Sequence, residues 1–330
     1  MSREIIIRQV DAFTTTPLSG NPAGVVTRGG EALSDAQMQA VAREMNVAET
    51  AFLLPPSQTG ADVRIRWFTP EVEVALCGHA TVAAFHAAAE EGSWGLATEG
   101  VRAMKLQCLS GVLPLEVTKR SGESPLIRMG LPDPVVEEWP DPSKVVEAVG
   151  IPKDGLARSM PAIRSGFFVL IPVRSLNVLR ALRPDMAALR EMKLGGGADG
   201  VIVACLETID PLSAIHVRMF APAAGVAEDP VTGSAQSSVA GWLARIGFFD
   251  ERKPAAEEGE APPREKATTG PLARFKRLDG PRVGYTAEQG DLIGRRGRID
   301  VELSIAAGRA RDVSIIGRAV TVLKGTMLVP

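Results

Sequence analysis

The sequence predicts a mixed α+β fold in which one structural unit occurs twice. Three features of the 330-residue chain support this prediction. Short strand-like segments outnumber helical ones, two helical segments each follow a glycine turn, and both turns lie in similar sequence surroundings. A chain of this length is sufficient for one large domain or two medium ones.

The first turn and helix lie in residues 63–92. Residues 63–67 alternate apolar side chains with arginine, which is typical of a half-buried strand, and residues 72–76 repeat the alternation. The turn Cys77-Gly78-His79 follows, and the alanine-rich residues 81–91 predict a helix that ends at Gly92. A helix that begins at a glycine turn has free backbone N–H groups, which can bind a carboxylate or a phosphate.

The second copy lies in residues 216–247. Nine residues after Phe68 comes Cys77, and nine residues after Phe220 comes Asp229. The turn Gly233-Ser234 lies three residues further along than its counterpart, and residues 234–246 predict the second helix. We therefore expect two similar halves, each presenting a helix N-terminus, with the functional site between them.

The remaining elements follow from shorter patterns. Ser34 and Gln37 have the spacing of a capping box, which predicts a helix over residues 35–45. Residues 20–24 predict a tight connection into a strand at 25–26. Further strands are predicted at 5–13, 51–54, 112–117, 126–129, 167–172, 201–204, 299–305, 313–316 and 319–323, and a further helix at 184–192.

The proline-rich residues 132–142 are the predicted linker between two domains. The first domain is expected to cover residues 1–130 and to be joined by the last strand, at about 318–330. The second is expected to cover residues 131–317. Residues 251–281 are rich in charge, proline and glycine, so we expect them to form a mobile surface excursion.

Composition excludes several classes of protein. A net charge of −2 gives no reason to expect nucleic acid or an anionic membrane as partner, and we expect the arginines at 295, 296 and 298 on a solvated turn. Three widely spaced cysteines without a CxxC pair predict neither a disulfide framework nor a metal site. The start of the chain does not resemble a signal peptide, and no apolar run is long enough to span a bilayer, so a cytoplasmic location is predicted.

Seven residues are candidates for chemistry: Glu49, Cys77, His79, His86, His216, Asp229 and Ser234. Glu49 is either a solvated loop residue or, pressed among apolar neighbours, a carboxyl group of raised pKa that works as acid and base. Cys77 is either a small buried hydrophobe or a reactive thiol whose pKa is lowered by the helix N-terminus.

The other candidates also have two interpretations. His79, at a glycine turn, is as well placed to face a ligand as to pack in the fold. We expect His86 to pack or to lie at the surface, and His216 to be structural. Asp229 and Ser234 are candidate helix caps, and Ser234 is also a candidate to bind a substrate oxygen.

Six segments together resemble the PhzF-type phenazine-biosynthesis isomerase family. They are VDAFT at 10–14, GNPAGVV at 20–26, NVAETAFL at 46–53, FTPEVEVALCGHAT at 68–81, EDPVTGSA at 228–235 and AEQGDLIGRRG at 287–297. The resemblance implies a diaminopimelate-epimerase-like fold of two pseudo-symmetric domains, each a curved mixed sheet around a central helix. It also implies a homodimer, an interdomain site, and no metal or organic cofactor.

The resemblance further implies an activity. The best-known reaction of the family isomerises trans-2,3-dihydro-3-hydroxyanthranilate by moving a proton. The proton-shuttling glutamate of the family corresponds to Glu49. Substrate contacts would come from Gly78 and His79 in the first copy, and from Asp229, Gly233 and Ser234 in the second.

Two alternatives remain open at this point. Cys77 stands where the epimerase relatives have one of two catalytic thiols, whereas Asp229 stands where the second would be. A Cys77/Asp229 acid–base pair would make the protein an amino-acid epimerase or racemase. A catalytically silent binding protein on the same fold is the other alternative, against which the intact candidate residues argue: Glu49, His79, Asp229 and Ser234.

Overall fold

The computed structural model describes residues 3–192, 194, 198–250 and 275–330. The first part of the chain forms β1 (Arg3–Ala12), β2 (Asn21–Val26), α1 (Asp35–Met45), β3 (Glu49–Leu54), β4 (Val63–Phe68), β5 (Glu73–Val74), α2 (Gly78–Glu91), β6 (Gly100–Cys108), β7 (Gly111–Lys119), β8 (Leu126–Gly130) and β9 (Glu137–Glu138). The second part forms α3 (Ser143–Val149), β10 (Ile163–Ser165), β11 (Phe168–Pro172), α4 (Leu176–Ala181), α5 (Met186–Glu191), β12 (Gly200–Cys205), β13 (Ile215–Ala221), β14 (Val226–Asp229), α6 (Ala235–Arg245), β15 (Phe275–Arg277), β16 (Arg282–Gln289), β17 (Gly297–Ala306), β18 (Arg309–Gly317) and β19 (Ala319–Val329).

The two halves have the same strand arrangement. In the first half, β1–β2 is antiparallel, β2–β3 parallel, β3–β4 antiparallel, β4–β6 parallel, and β6–β7 and β7–β8 antiparallel. In the second half, β10–β11, β11–β12, β12–β13, β13–β16, β16–β17 and β17–β18 repeat these orientations in the same order. The predicted α+β class with two pseudo-symmetric halves is therefore confirmed.

The halves also exchange their last strands. β9 leaves the first half and pairs with β10, whereas β19 leaves the second half and pairs with β1. Between these crossovers, β8 pairs with β18 and joins the two sheets. The division into domains at residues 130 and 317 stays a prediction.

The duplication extends to single side chains. Arg66 on β4 donates hydrogen bonds to both carboxylate oxygens of Glu73, and its guanidinium lies 4.9 Å from the ring centroid of the phenylalanine two residues on. Arg218 on β13 makes the same pair of bonds to Glu228, and lies 5.0 Å from the phenylalanine two residues on. The two halves therefore repeat not only the sequence pattern but also the same side-chain contacts, an arginine–glutamate pair and an arginine–phenylalanine contact.

Each half is built around one central helix. All twelve residues of α2 from Gly78 to Ala89 are buried, as are eight of the eleven residues of α6. A helix that is apolar or small on every face needs partners on every face, and the curved sheets supply them. α2 packs against β1, β2, β3 and β8, and α6 against β10, β11, β17 and β18. Within the described part of the chain, no helix has the length and apolarity that a membrane crossing requires.

Tertiary pairing moves several predicted boundaries. The central helix begins at Gly78 rather than at residue 81, and β2 already begins at Asn21, inside the predicted connection. β2 begins early because residues 21–25 pair with β1, while the turn itself lies at Gly20, whose φ is 61°. The strand predicted over residues 72–76 is only Glu73–Val74.

The predicted mobile excursion, residues 251–281, falls largely outside the described residues. Within the described part of this segment, Phe275–Arg277 forms β15, antiparallel to β16, and the mobility of the excursion stays a prediction. The ring of Phe275 lies 5.9 Å from that of Phe248 and 5.6 Å from that of Phe249. Aromatic packing of this kind stabilises a short strand that a charged, proline-rich composition conceals.

Of the three arginines that we expected on a solvated turn, Arg296 is 59% exposed, whereas the side chains of Arg295 and Arg298 are only 26% and 20% exposed. Arg295 donates to the fully buried carboxylate of Asp11 and to the carbonyl oxygens of Ser19 and Gly20. Arg298 bonds Asp291 through two nitrogens. Both side chains therefore fasten loops of the fold, which a run of positive charge in the sequence does not reveal.

Candidate active site

A cleft of about 380 Å³ opens where the N-termini of α2 and α6 meet. Its polar lining includes Glu49, Cys77, His79, Asp229, Thr232 and Ser234. Apolar side chains such as Leu76, Phe167, Phe168 and Met219 line the rest. A mostly apolar concavity with a few converging polar groups is typical of a small-molecule site.

Two glycines allow the helices to approach each other. A Cβ atom on Gly78 would lie 2.9 Å from the Cα of Gly233, and one on Gly233 would lie 3.0 Å from the Cα of Gly78. Neither helix has a side-chain cap at its N-terminus. The glycines are therefore needed for close backbone contact, and the two helix starts direct their dipoles at one region.

Glu49 begins β3, where parallel pairing with Ala23 of β2 fixes its backbone. Its side chain is only 15% exposed, and its Oε2 has no hydrogen-bond partner. Burial, together with the negative charge of nearby Asp229, raises the pKa of this carboxyl group to about 8. Glu49 is thus protonated at neutral pH, in the direction that its apolar neighbours in the sequence predicted.

His79 lies beside Glu49. Its Nε2 is 3.2 Å from Oε2 of Glu49, but the two atoms are not aligned for a hydrogen bond. Burial lowers the pKa of the imidazole, although Asp229 partly opposes this shift. The ring is therefore neutral, and its second nitrogen, Nδ1, lies 3.5 Å from Sγ of Cys77.

Cys77 is the N-terminal cap residue of α2, as its place before the glycine turn suggested. Of the two interpretations of Cys77, the structure favours the small buried side chain over the thiol of lowered pKa. Burial raises the pKa well above its usual value, and the charge of Glu49 adds to the increase. The backbone N–H groups of Ala80 and His79 oppose the shift only in part. Cys77 is consequently a neutral thiol.

Asp229 is held from both sides. Its Oδ1 accepts a hydrogen bond of 2.8 Å from Nδ2 of Asn21, and its Oδ2 accepts one of 2.6 Å from Oγ1 of Thr232. The amide of Gln289 bonds the main-chain oxygen of Asp229 and the hydroxyl of Thr232. The carboxylate therefore joins β2 of the first half to the turn before α6.

The other candidates divide between the cleft and the core. Ser234 is the N-cap residue of α6, but its hydroxyl makes no capping bond, and it lines the cleft. His86 is buried on α2, with its Nε2 3.1 Å from Glu90. His216 is fully buried outside the cleft, with Nδ1 2.7 Å from Oε1 of Glu288. These positions agree with packing roles for the two core histidines.

Sequence reasoning did not single out Asn21, Thr232 or Gln289. All three lie within the segments that carry the family resemblance, so a signal existed, but their roles depend on contacts between the two halves. Asn21 is 208 residues from its partner Asp229. No local pattern predicts a hydrogen bond over that separation.

Donor atoms suited to a metal ion occur in two places within the described residues. Those of Glu49, Cys77 and His79 lie within 4.8 Å of one another, as do those of His216, Glu288 and Asp291. In the second cluster, Arg298 lies 3.2 Å from Glu288 and already supplies a positive charge. In the first, Cys77 and Glu49 would each have to release a proton when a metal ion binds, because both have raised pKa values. The prediction that no metal is required stays a prediction.

Comparison with known proteins identifies the family. The PhzC-PhzF family, described as phenazine biosynthesis-like protein, matches residues 10–267. The chain belongs to this family. An uncharacterized isomerase of Clostridium acetobutylicum is 32% identical over 99% of both chains, and the uncharacterized isomerase YddE of Escherichia coli is 32% identical over 95% of both. The predicted enzyme class, an isomerase of unspecified substrate, is therefore confirmed.

Solved structures agree with the PhzC-PhzF assignment. A PhzF-family phenazine biosynthesis protein of Bacillus anthracis is 26% identical and has a TM-score of 0.78, covering 99% of this chain and 100% of its own. A hydroxyproline epimerase of Agrobacterium vitis, solved with trans-4-hydroxy-L-proline, has a TM-score of 0.58 at 13% identity, covering 99% and 91%. The epimerase shares the fold alone.

Proposed function

We propose that this PhzC-PhzF protein moves a proton between two carbon atoms of a small carboxylate-bearing substrate, with Glu49 as the general acid and base. The observation that carries the proposal is the state of Glu49. Its carboxyl group is buried in the cleft, its pKa is raised to about 8, and one of its oxygens has no hydrogen-bond partner. A carboxyl group of this kind is poised to exchange a proton near neutral pH.

The two helix N-termini supply the second part of the site. The starts of α2 and α6 approach each other beside Glu49, and the backbone N–H groups at a helix start suit a carboxylate. A substrate held there by its carboxylate would place its neighbouring carbon atoms against Glu49. The apolar side chains of Leu76, Phe168 and Met219 favour an unsaturated or cyclic body rather than a second charge.

The reaction needs only one proton carrier. Neutral Glu49 donates its proton to one carbon as the double bond shifts, and the carboxylate that results accepts the proton from another carbon. The substrate is isomerised and Glu49 is restored, so atoms and charge balance over the cycle. Nε2 of His79, beside Glu49 and without a partner, suits a substrate heteroatom next to the reacting carbon.

The alternative of a Cys77/Asp229 epimerase has less support. A two-base epimerase needs one group that readily loses a proton and one that readily donates one. Burial raises the pKa of Cys77 well above its usual value, and both carboxylate oxygens of Asp229 accept bonds from Asn21 and Thr232. Neither group is free to act as Glu49 is.

The test is incubation with trans-2,3-dihydro-3-hydroxyanthranilate and a panel of small unsaturated carboxylic acids in deuterated water. We expect NMR to show deuterium entering one substrate carbon in the presence of the wild type. Glu49→Gln preserves shape and removes the acidic proton and the basic carboxylate, so it should abolish the exchange. Glu49→Asp keeps the acid and should retain part of it.

Two other outcomes bear on the proposal. Exchange that persists in Glu49→Gln would show that another residue acts as the general acid and base. Exchange that is lost on alkylation of Cys77, with Glu49→Gln still active, would favour the epimerase instead. The phenazine precursor as substrate, the homodimer and the cytoplasmic location remain proposals that derive from the family resemblance.

A further inference from the structure

Three side chains form a row at the base of the cleft. Sγ of Cys77 lies 3.5 Å from Nδ1 of His79, and Nε2 of the same ring lies 3.2 Å from Oε2 of Glu49. Cys77 and His79 are each 3% exposed. A buried imidazole between two groups has two tautomers, and its partners decide which nitrogen carries the proton.

From this geometry we propose that Cys77 is a positioning residue, whose S–H donates to Nδ1 of His79 and so fixes the proton of the ring on Nε2, toward Glu49 and the substrate. The inference rests on the proposed function for its catalytic consequence. The tautomer itself does not depend on that function, and it can be measured without substrate.

The hydrogen-bonding capacity of the groups supports this assignment. A neutral thiol is a donor, and neutral imidazole has one acceptor nitrogen. Burial keeps Cys77 protonated and His79 neutral, so an S–H group faces a ring that can accept only at one position. The sulfur–nitrogen contact has hydrogen-bond geometry, whereas the contact between Nε2 and Oε2 does not.

The competing arrangement reverses the row. A protonated Glu49 would then donate to Nε2, and Nδ1–H would face the sulfur of Cys77. In that arrangement the sulfur of Cys77 would have to accept a hydrogen bond rather than donate one, and sulfur is a weak acceptor. Nε2 of His79 and Oε2 of Glu49 would also have to form a hydrogen bond, for which they are not aligned. The Nε2–H tautomer instead leaves one donor unpartnered in the cleft.

The consequence for catalysis follows from that donor. With Nε2–H fixed, His79 can donate to a substrate oxygen next to the carbon that Glu49 protonates. With the ring in the other tautomer, the substrate oxygen would meet a lone pair, and the hydrogen bond that orients the bound substrate for reaction would be lost. Cys77 thus acts through His79 and does not contact the reacting atoms.

The chain suits a direct measurement because it has only three histidines, His79, His86 and His216. Protein labelled with 15N in histidine gives three pairs of ring signals, and His79→Gln and His86→Gln assign them. We expect the wild type to show the Nε2–H pattern for His79. Cys77→Ala should give a mixture of tautomers at His79 and leave the signals of His216 unchanged, which also reports that the variant is folded.

Two further variants separate the hydrogen bond from packing. Cys77→Ser retains a donor and should restore the Nε2–H pattern. Cys205→Ala removes another buried thiol, in a separate core cluster, and should leave His79 unaffected. Once a substrate is known, Cys77→Ala should lower kcat at least about tenfold with KM nearly unchanged.

The proposal would be overturned by an Nδ1–H pattern in the wild type, or by an unchanged pattern in Cys77→Ala. A Cys77→Ser variant that behaves like Cys77→Ala would trace the effect to lost packing and would equally overturn the proposal. These results are independent of whether Glu49 catalyses proton exchange. If no deuterium enters any substrate while Cys77 still sets the tautomer, the proposed function fails and the role of Cys77 stands.

Discussion

Glu49 in the first half and Gly200 in the second occupy equivalent positions of the duplicated sheet. The residue after Glu49 pairs with Phe68, and the residue after Gly200 pairs with the corresponding Phe220. Both residues line the cleft. The duplication therefore provides two equivalent backbone positions beside the cleft, but only the first, at Glu49, carries a carboxyl group. This is consistent with an enzyme that uses a single proton carrier.

Replacing Glu49 should stabilise the fold in a pH-dependent manner. The pKa of Glu49 is raised from 4.5 to about 8, so the folded state binds the proton more tightly than the unfolded state. Its contribution to stability is fully present below about pH 4.5 and is lost as the pH rises to about 8. Glu49→Gln avoids this loss. The difference in free energy of unfolding between this variant and the wild type should therefore grow to a few kcal/mol across that pH range and then level off.

Urea unfolding at about pH 5, 7 and 9 measures this gain in the free energy of unfolding. Glu49→Asp keeps an ionisable group and serves as the control that should retain the pH dependence. An advantage of Glu49→Gln that is equal at all three pH values would show that the carboxyl group is not held neutral in the folded state.

Gly78→Ala should destabilise the protein by about 1–3 kcal/mol, because the added Cβ meets backbone that cannot move aside. That Cβ would lie 2.9 Å from the Cα of Gly233 and 2.7 Å from Cδ1 of Ile315. Gly325→Ala is the matched control, since a Cβ there has nothing within 4 Å. Thermal unfolding of the two variants compares them, and equal melting temperatures would argue against the close approach of the helices.

Asn21→Ala should cost about 1–3 kcal/mol, since it leaves buried oxygens without their donor. Nδ2 of Asn21 donates to Oδ1 of Asp229 and, at 2.9 Å, to the carbonyl of Val231. Thr232→Val removes the other donor to the same carboxylate. Chemical denaturation of both single variants and the double variant forms a cycle, and strictly additive losses would show that the two donors do not share one network.

Glu288→Gln should destabilise the second half at neutral pH. Burial alone would raise the pKa of Glu288, but hydrogen bonds from His216 and from the backbone of Ile209 and Asp210 lower it. A lowered pKa stabilises the fold above the unfolded value of 4.5, and this stability is lost as the pH falls below it. We expect a loss of about 3–5 kcal/mol at pH 7, which becomes smaller toward pH 4.

Denaturant titrations at the two pH values check this prediction for Glu288. Glu302→Gln provides the control, because its carboxylate pairs with two partly exposed arginines, Arg128 and Arg282, and should cost much less. If the two variants lost the same free energy of unfolding at neutral pH, Glu288 would contribute no more to stability than an ordinary surface ion pair.

The sequence was sufficient to predict the duplicated design and the elements that carry the cleft. The periodicity of residues 63–67 and the glycine turns at Gly78 and Gly233 are local patterns. Such patterns predict the local structure without knowledge of contacts between distant residues. The predicted helix over residues 35–45 coincides with α1, since its capping box is present as the spacing indicated. The direction of the pKa shift of Glu49 also followed from its apolar neighbours.

What the sequence concealed depends on contacts between distant residues. The thiol of Cys77 has a raised pKa because its environment is buried, and burial is a property of the assembled cleft. Arg295 reaches Asp11 across 284 residues of sequence, so it resembles a surface charge until the halves are placed together. The sequence around Phe275 gives no strand signal, because it is rich in charge and proline. The strand there depends on the aromatic residues that Phe275 contacts in the folded protein.

The exchange of β9 and β19 has a consequence for dividing the protein. If the chain were cut between β9 and α3, each fragment would carry the closing strand of the other, and β1 and β10 would both be left with an unpaired edge. Exposed edges of this kind promote aggregation. Neither fragment should therefore be soluble when produced alone, whereas the two produced together should complement each other, since every lost pairing is restored in the reassembled pair.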